Sequence, residues 1–94
     1  MEKKIALITG ATSGIGEACA LRFARGGYNL ILTGRDGERL KVVGNAAISL
    51  GAEVLTLQYD VRDLAACEAA VNSLTGRWAA VDVLINNAGL ALAK

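Results

Sequence analysis

Histidine is missing from the sequence altogether, and cysteine occurs only at Cys19 and Cys67. The two thiols lie in what read as separate helices, and no imidazole is present to complete a metal site with them. No metal is expected, and both cysteines read as buried, reduced thiols of a cytoplasmic protein. Long apolar runs are lacking too: no segment reaches the roughly 18 consecutive residues of a membrane span. The opening "KKIALITGA" is too short and too glycine-interrupted for a signal peptide. Charge of neither sign gathers into a block: ten Lys/Arg and nine Asp/Glu are scattered for a net charge of +1. That leaves no electrostatic footprint for nucleic acid or an anionic membrane. Linkers, repeats and low-complexity stretches are absent as well.

What is present suits one small domain. Ninety-four residues bury only about 60 to 65 % of their unfolded surface. Hydrophobic residues make up 53 % and the mean hydropathy is +0.40, against a usual apolar share of roughly 45 to 50 %. Some apolar surface is therefore expected to need a partner.

Along the chain, "KIALIT" (4–9) is apolar on both faces, as befits a parallel strand covered on either side. A glycine cluster ends it, and a helix follows with Ile15, Cys19 and Phe23 in a stripe flanked by Ala18, Ala20 and Ala24, stopped by Gly26 and Gly27. "YNLILTG" is a second strand. A second helix carries Leu40, Val43, Ala47 and Leu50 on one face, with Asp36 as its N-cap and Gly51 as its stop. Gly44 within that helix costs about 1 kcal/mol relative to alanine, so a kink or split is expected there. "AEVLTLQYD" is a third strand, and a third helix preceded by Asp63 carries Leu64, Cys67, Val71, Leu74 and Trp78. "VDVLIN" is a fourth strand. Strands alternating with helices imply right-handed crossovers and a doubly wound α/β fold with a parallel sheet.

"TGATSGIG" (9–16) places Gly10, Gly14 and Gly16 where the first strand turns into the first helix. In such folds a phosphate sits on the free N–H groups at that helix start, provided no Cβ intervenes. Gly10 permits the tight strand exit; Gly14 and Gly16 let backbone approach the phosphates, and Gly16 also lets the helix lie close to the sheet. Thr12 lies within this turn, and the Ser13 hydroxyl and Ile15 N–H are candidate donors. The competing reading is a plain strand-to-helix turn. At the end of the second strand, "LTGRD" has no acid at Gly34 and offers Arg35. A guanidinium there accommodates the 2′-phosphate of NADP, whereas a carboxylate would hydrogen-bond the ribose of NAD. Asp36 keeps NAD open as the alternative.

With "TGATSGIG", "TGR", "YDV" and "NNAG" at the ends of strands one to four, the sequence closely resembles the N-terminal half of the short-chain dehydrogenase/reductase family. The resemblance implies a Rossmann-type sheet of order 3-2-1-4 with three helices, spanning residues 1–94 and truncated after the fourth strand. It implies that Thr9, Gly10, Gly14 and Gly16 form the pyrophosphate turn and that Asp60, beside Val61, receives the adenine amino group. Asn86, Asn87, Ala88 and Gly89 would steady the sheet beside the cofactor riboses, although both asparagines could equally only join strand ends. "SLTGRWAAVDVLINNAGLAL" is most similar to the NADP-dependent 3-hydroxy acid dehydrogenases. Trp78 reads as a core residue at a helix end.

Catalysis in the family uses a serine and a Tyr-x-x-x-Lys pair. Here Tyr28 is followed four residues on by Leu32, and Tyr59 by Asp63. No catalytic residue is therefore assigned, and the 94 residues alone are expected to be inactive. Three readings follow: the NADP-binding part of an oxidoreductase that interconverts hydroxyl and carbonyl groups, a freestanding dinucleotide-binding module, and a structural half-domain without ligand. The fourth strand would be an open apolar edge, so a homodimer or larger assembly through that edge or the helix faces is expected.

Overall fold

Four short apolar runs become strands and the capped segments between them become helices: β1 (Ile5–Thr9), α1 (Gly14–Arg25), β2 (Asn29–Gly34), α2 (Gly37–Ser49), β3 (Val54–Gln58), α3 (Leu64–Asn72) and β4 (Val83–Asn86), with a 3-10 turn at Gly76–Ala79 before β4. The computed structural model describes residues 3–60 and 62–87. The candidate residues Val61, Ala88 and Gly89 lie outside the described residues. All strand pairs are parallel and the sheet order is β3-β2-β1-β4, as the sequence leads one to expect.

Side-chain alternation divides the sheet into two faces. Ala6 and Ile8 of β1 stand in register with Leu30 and Leu32 of β2 and with Val83 and Ile85 of β4. Together with Ala20 and Ala24 of α1 and Leu40, Val43 and Ala47 of α2, they make the core. Each fully buried Leu or Val side chain contributes about 2 kcal/mol by leaving water. The opposite face carries the row Leu55, Ile31, Leu7, Leu84. Its burial is complete at Ile31, while Leu84 is 62 % exposed.

Each helix begins at a side-chain cap. The Ser13 hydroxyl accepts from Gly16 N at 3.1 Å, Asp36 Oδ1 from Glu38 N and Arg39 N at 3.1 and 3.2 Å, and Asp63 Oδ1 from Ala66 N at 3.1 Å. The face that α1 buries differs from the expected stripe: Gly16, Ala20 and Ala24 are buried while Ile15 is 66 % exposed. Small residues win the inward face because the helix lies almost on the preceding turn. A Cβ on Gly16 would overlap the Gly10 carbonyl oxygen and sit 2.9 Å from Ala11 Cα.

In α2 the inward residues are Leu40, Val43, Gly44 and Ala47, and Leu50 caps the helix as a partly exposed residue. The expected kink at Gly44 does not occur, since the helix runs unbroken from Gly37 to Ser49 and turns Gly44 toward β3. The third helical stripe is also corrected. α3 ends at Asn72 and buries none of its residues; Leu64 and Val71 are exposed, and Trp78 sits half-buried in the 3-10 turn with the Arg77 guanidinium 5.1 Å from its ring centroid. An alanine-rich segment bounded by Asp63 and Gly76 has helix propensity but little side-chain bulk to anchor it. Cys19 and Cys67 are half-buried, rather than fully buried.

Gly16→Ala should destabilise the fold by about 3 kcal/mol, as an overpacked core site does. At Gly44 an added Cβ would meet Val54 Cγ1 at 3.5 Å and Thr56 Cγ2 at 3.7 Å, which is ordinary contact. Gly44→Ala should therefore raise stability by up to about 1 kcal/mol. Urea unfolding of both variants checks the contrast, and similar losses at the two positions would contradict it.

Candidate functional site

Because every strand is parallel, the ends of β1, β2, β3 and β4 reach the same rim of the sheet, and they bring the candidate residues together there. Gly10 leaves β1 with φ +62, a backbone conformation that disfavours any residue with a Cβ. The turn is then fastened to its neighbour strand by Ala11 N donating to Thr33 O at 2.9 Å. Ser13 caps α1, and the N–H groups of Gly14 and Ile15 make no hydrogen bond among the described residues. These two donors sit at the positive end of the α1 dipole, beside the exposed Ser13, Gly14 and Ile15. A Cβ on Gly14 would meet nothing within 4 Å. Packing therefore does not require glycine there, and the open space above it is a cradle of the kind a phosphate fills.

The Ser13 hydroxyl is more heavily committed than the sequence suggests. It donates to Gly10 O at 3.0 Å and accepts from Gly16 N and, at 2.7 Å, from Asn87 Nδ2. Asn87 also donates to Gly10 O at 3.0 Å. This buried amide thus braces the glycine turn from the far end of the chain; pattern reading flags it only through the NNAG cluster. Asn86 Oδ1 accepts from the Thr9 hydroxyl at 3.1 Å, joining the ends of β1 and β4.

At the end of β2, Gly34 lies against Thr12, whose Cγ2 would stand 3.1 Å from a Cβ at that position. The lack of an acid there has a steric reason beside the electrostatic one. Asp36 is spoken for, since its carboxylate holds the Glu38 and Arg39 N–H groups in the first turn of α2. It is therefore not turned toward a ribose in this structure. Arg35 is exposed, with Gln58 Nε2 holding its carbonyl at 3.1 Å. Arg35, Asp36, Gly37, Glu38, Lys41 and Gln58 line a shallow groove of about 550 Å³.

Asp60, just past β3, binds Arg62: Oδ1 accepts from Arg62 N at 2.9 Å and Nε at 3.2 Å, and Oδ2 from Nη2 at 2.9 Å. Arg35 Nη1 stands 3.8 Å from the same Oδ2. Arg62 escaped the reading of the sequence, although an acid followed two residues later by arginine is a spacing at which a turn closes through the acid. No group of side chains among the described residues could hold a metal ion, and no helix among them is long and apolar enough to cross a membrane.

Hydrogen bonds from the Arg62 side chain and backbone hold the Asp60 carboxyl at a pKa of about 2, below its ordinary 3.8. With the folded value the lower one, the pair's contribution to stability is complete above the ordinary value and is lost as pH falls toward 2. A carboxyl-detected NMR titration should find the Asp60 midpoint near about 2 and, in Arg62→Ala, back toward the ordinary range; an unmoved midpoint would contradict the assignment.

Comparison with known proteins gives a consistent set. The family model described as short chain dehydrogenase matches residues 4–94. An NADP-dependent 3-hydroxy acid dehydrogenase of Salmonella typhi is 51 % identical over 88 residues, 94 % of this chain and 34 % of that protein. The chain thus spans about a third of the length of the curated relatives it matches. Among solved structures, the closed form of a serine dehydrogenase complexed with NADP+ is 42 % identical with a TM-score of 0.78, over 88 % of this chain and 32 % of that one. An alcohol dehydrogenase from the archaeon Thermococcus sibiricus, complexed with 5-hydroxy-NADP, is 38 % identical with a TM-score of 0.82, over 88 % of this chain and 36 % of that one.

Proposed function

Because the chain belongs to the short-chain dehydrogenase family, we propose that it forms the NADP-binding part of an oxidoreductase that interconverts a hydroxyl and a carbonyl group on a small substrate, a 3-hydroxy acid being the class its named relatives favour. The observation that carries the cofactor reading is the open cradle at Gly14, faced by the two unpartnered N–H groups at the start of α1. The residues present fit a dinucleotide. Gly14 and Ile15 donate to its pyrophosphate, while Gly10, Thr12, Ser13, Gly16 and Asn87 hold the shape of that turn. Arg35 receives the 2′-phosphate, a preference for NADP over NAD that the pinned Asp36 reinforces by staying on α2. Asp60 lies at the adenosine end, and Val61, Ala88 and Gly89 complete the same set.

When bound, the nicotinamide supplies or accepts the hydride of the reaction. The part this chain plays is to orient that cofactor and neutralise its phosphates. Neither Tyr28 nor Tyr59 has a lysine four residues on, so neither is assigned the proton transfer. A second reading, binding without chemistry, draws on the same fact. On either reading the 94 residues show no turnover by themselves.

Calorimetric titration should find NADP bound more tightly than NAD, with Arg35→Ala removing most of the difference; equal affinities in the unaltered protein would refute the preference. Gly14→Asp should leave thermal stability intact, since an acid in a helix's first turn is favourable, yet abolish dinucleotide binding. Retained binding in that variant would refute the cradle. The exposed Leu84 on the β4 edge supports association into a homodimer or larger assembly, for which a monodisperse monomer in light scattering would be the contrary result.

A further inference from the structure

Two guanidinium groups converge on one carboxylate oxygen at the rim of the sheet. Arg62 Nη2 lies 2.9 Å and Arg35 Nη1 3.8 Å from Asp60 Oδ2. The two arginines come from different loops, after β2 and after β3, and meet only because those strands are parallel neighbours. Of the charged groups nearby, Asp36 caps α2 and Arg39 pairs with Glu17 at 3.3 Å, while Glu38 and Lys41, of opposite charge, line the same groove as Arg35. The cluster of Arg35, Asp60 and Arg62 is left with one net positive charge at an exposed surface.

A carboxylate offers about four acceptor positions. Arg62 fills three of Asp60's through its backbone N, Nε and Nη2. The remaining one faces the competition of Arg35. A group that donates to Oδ2 there displaces a loosely held Arg35 far more easily than the doubly forked Arg62, because a single exposed contact at this distance is weak. Arg35 then swings free while Arg62 stays fixed, with its Nη1 still without a partner among the described residues.

We propose that Arg62 is a second specificity-determining cation, which together with Arg35 recognises the phosphomonoester on the adenosine ribose, with Asp60 as the positioning carboxylate that holds Arg62 in place. This inference rests on the cofactor reading above and assigns a further residue to it. A doubly charged phosphate between two arginines gains charge-assisted hydrogen bonds from both, whereas a ribose hydroxyl gains little from the second. Arg62 therefore acts on NADP and leaves NAD nearly untouched.

The test is titration of NADP, NAD, adenosine 2′,5′-bisphosphate and adenosine 5′-monophosphate into the unaltered protein, Arg35→Ala, Arg62→Ala and Arg62→Lys, at two salt concentrations. Circular dichroism would confirm that the variants stay folded. Arg62→Ala should weaken NADP and the bisphosphate about fivefold to tenfold and flatten their salt dependence. Binding of NAD and the monophosphate should change by less than about twofold, and Arg62→Lys should recover part of the loss, since lysine keeps the charge and loses the fork. Equal weakening of all four ligands would overturn the inference, making Arg62 a support for the adenine end alone. Loss of NADP preference in Arg35→Ala with none in Arg62→Ala would overturn it while leaving the cofactor reading standing. No preference for NADP in the unaltered protein would overturn both.

Discussion

The start of α1 lies so near the turn that leads to it that a Cβ on Gly16 would overlap the carbonyl oxygen of Gly10. From that single contact several features follow. The helix sits near enough to the sheet for alanines, rather than larger residues, to fill its inward face at Ala20 and Ala24. Its first N–H groups end at the rim where the strands finish. The same closeness turns Ile15 outward, since the residue beside a buried Gly16 cannot also face in. Packing therefore demands glycine at Gly16 and not at Gly14, where a Cβ would meet nothing within 4 Å.

Most of the fold is legible in the sequence because two periodicities carry it. Short, largely apolar runs bounded by turn residues read as strands covered on both faces, and β1 and β2 are such strands, buried along almost their whole length. Acids at Asp36 and Asp63 mark helix starts by a local rule that tertiary packing does not override, and both caps form. What fails is inference about which way a helix faces when its residues are small. In α1 the stripe is rotated by one position because backbone proximity outweighs side-chain bulk. In α3 a plausible stripe becomes fully buried nowhere: Leu64 and Val71 stay exposed, while Cys67, Leu74 and Trp78 are half-buried. Gly44 misleads in the opposite sense: its intrinsic cost is not enough to break a helix that runs from Gly37 to Ser49 and packs on β3.

The site is legible in part, for a similar reason. Glycine spacing and Arg35 announce themselves because their chemistry depends on residue type and position in the chain. The ties that hold them do not: Asn87 to Ser13 and Gly10, Thr12 over Gly34, and Arg62 on Asp60 depend on which strand lies beside which. Asp36 shows a local competition that the chain order alone does not reveal. Its carboxylate is held by two backbone N–H groups of α2, while the neighbouring Arg35 stays exposed.

The brace from Asn87 to Gly10 also sets a clock. Its partners are 77 residues apart in the chain, and at about 5 to 20 residues per second of synthesis, roughly 4 to 15 s separate their appearance. Through that interval the glycine turn exists without the amide that fixes Ser13 and its carbonyl. A nascent chain passes through a stage in which the glycine turn is written but not yet shaped, and the turn reaches its final form only after β4 has docked. Any ligand that bound the finished turn alone would then draw the folding equilibrium toward it.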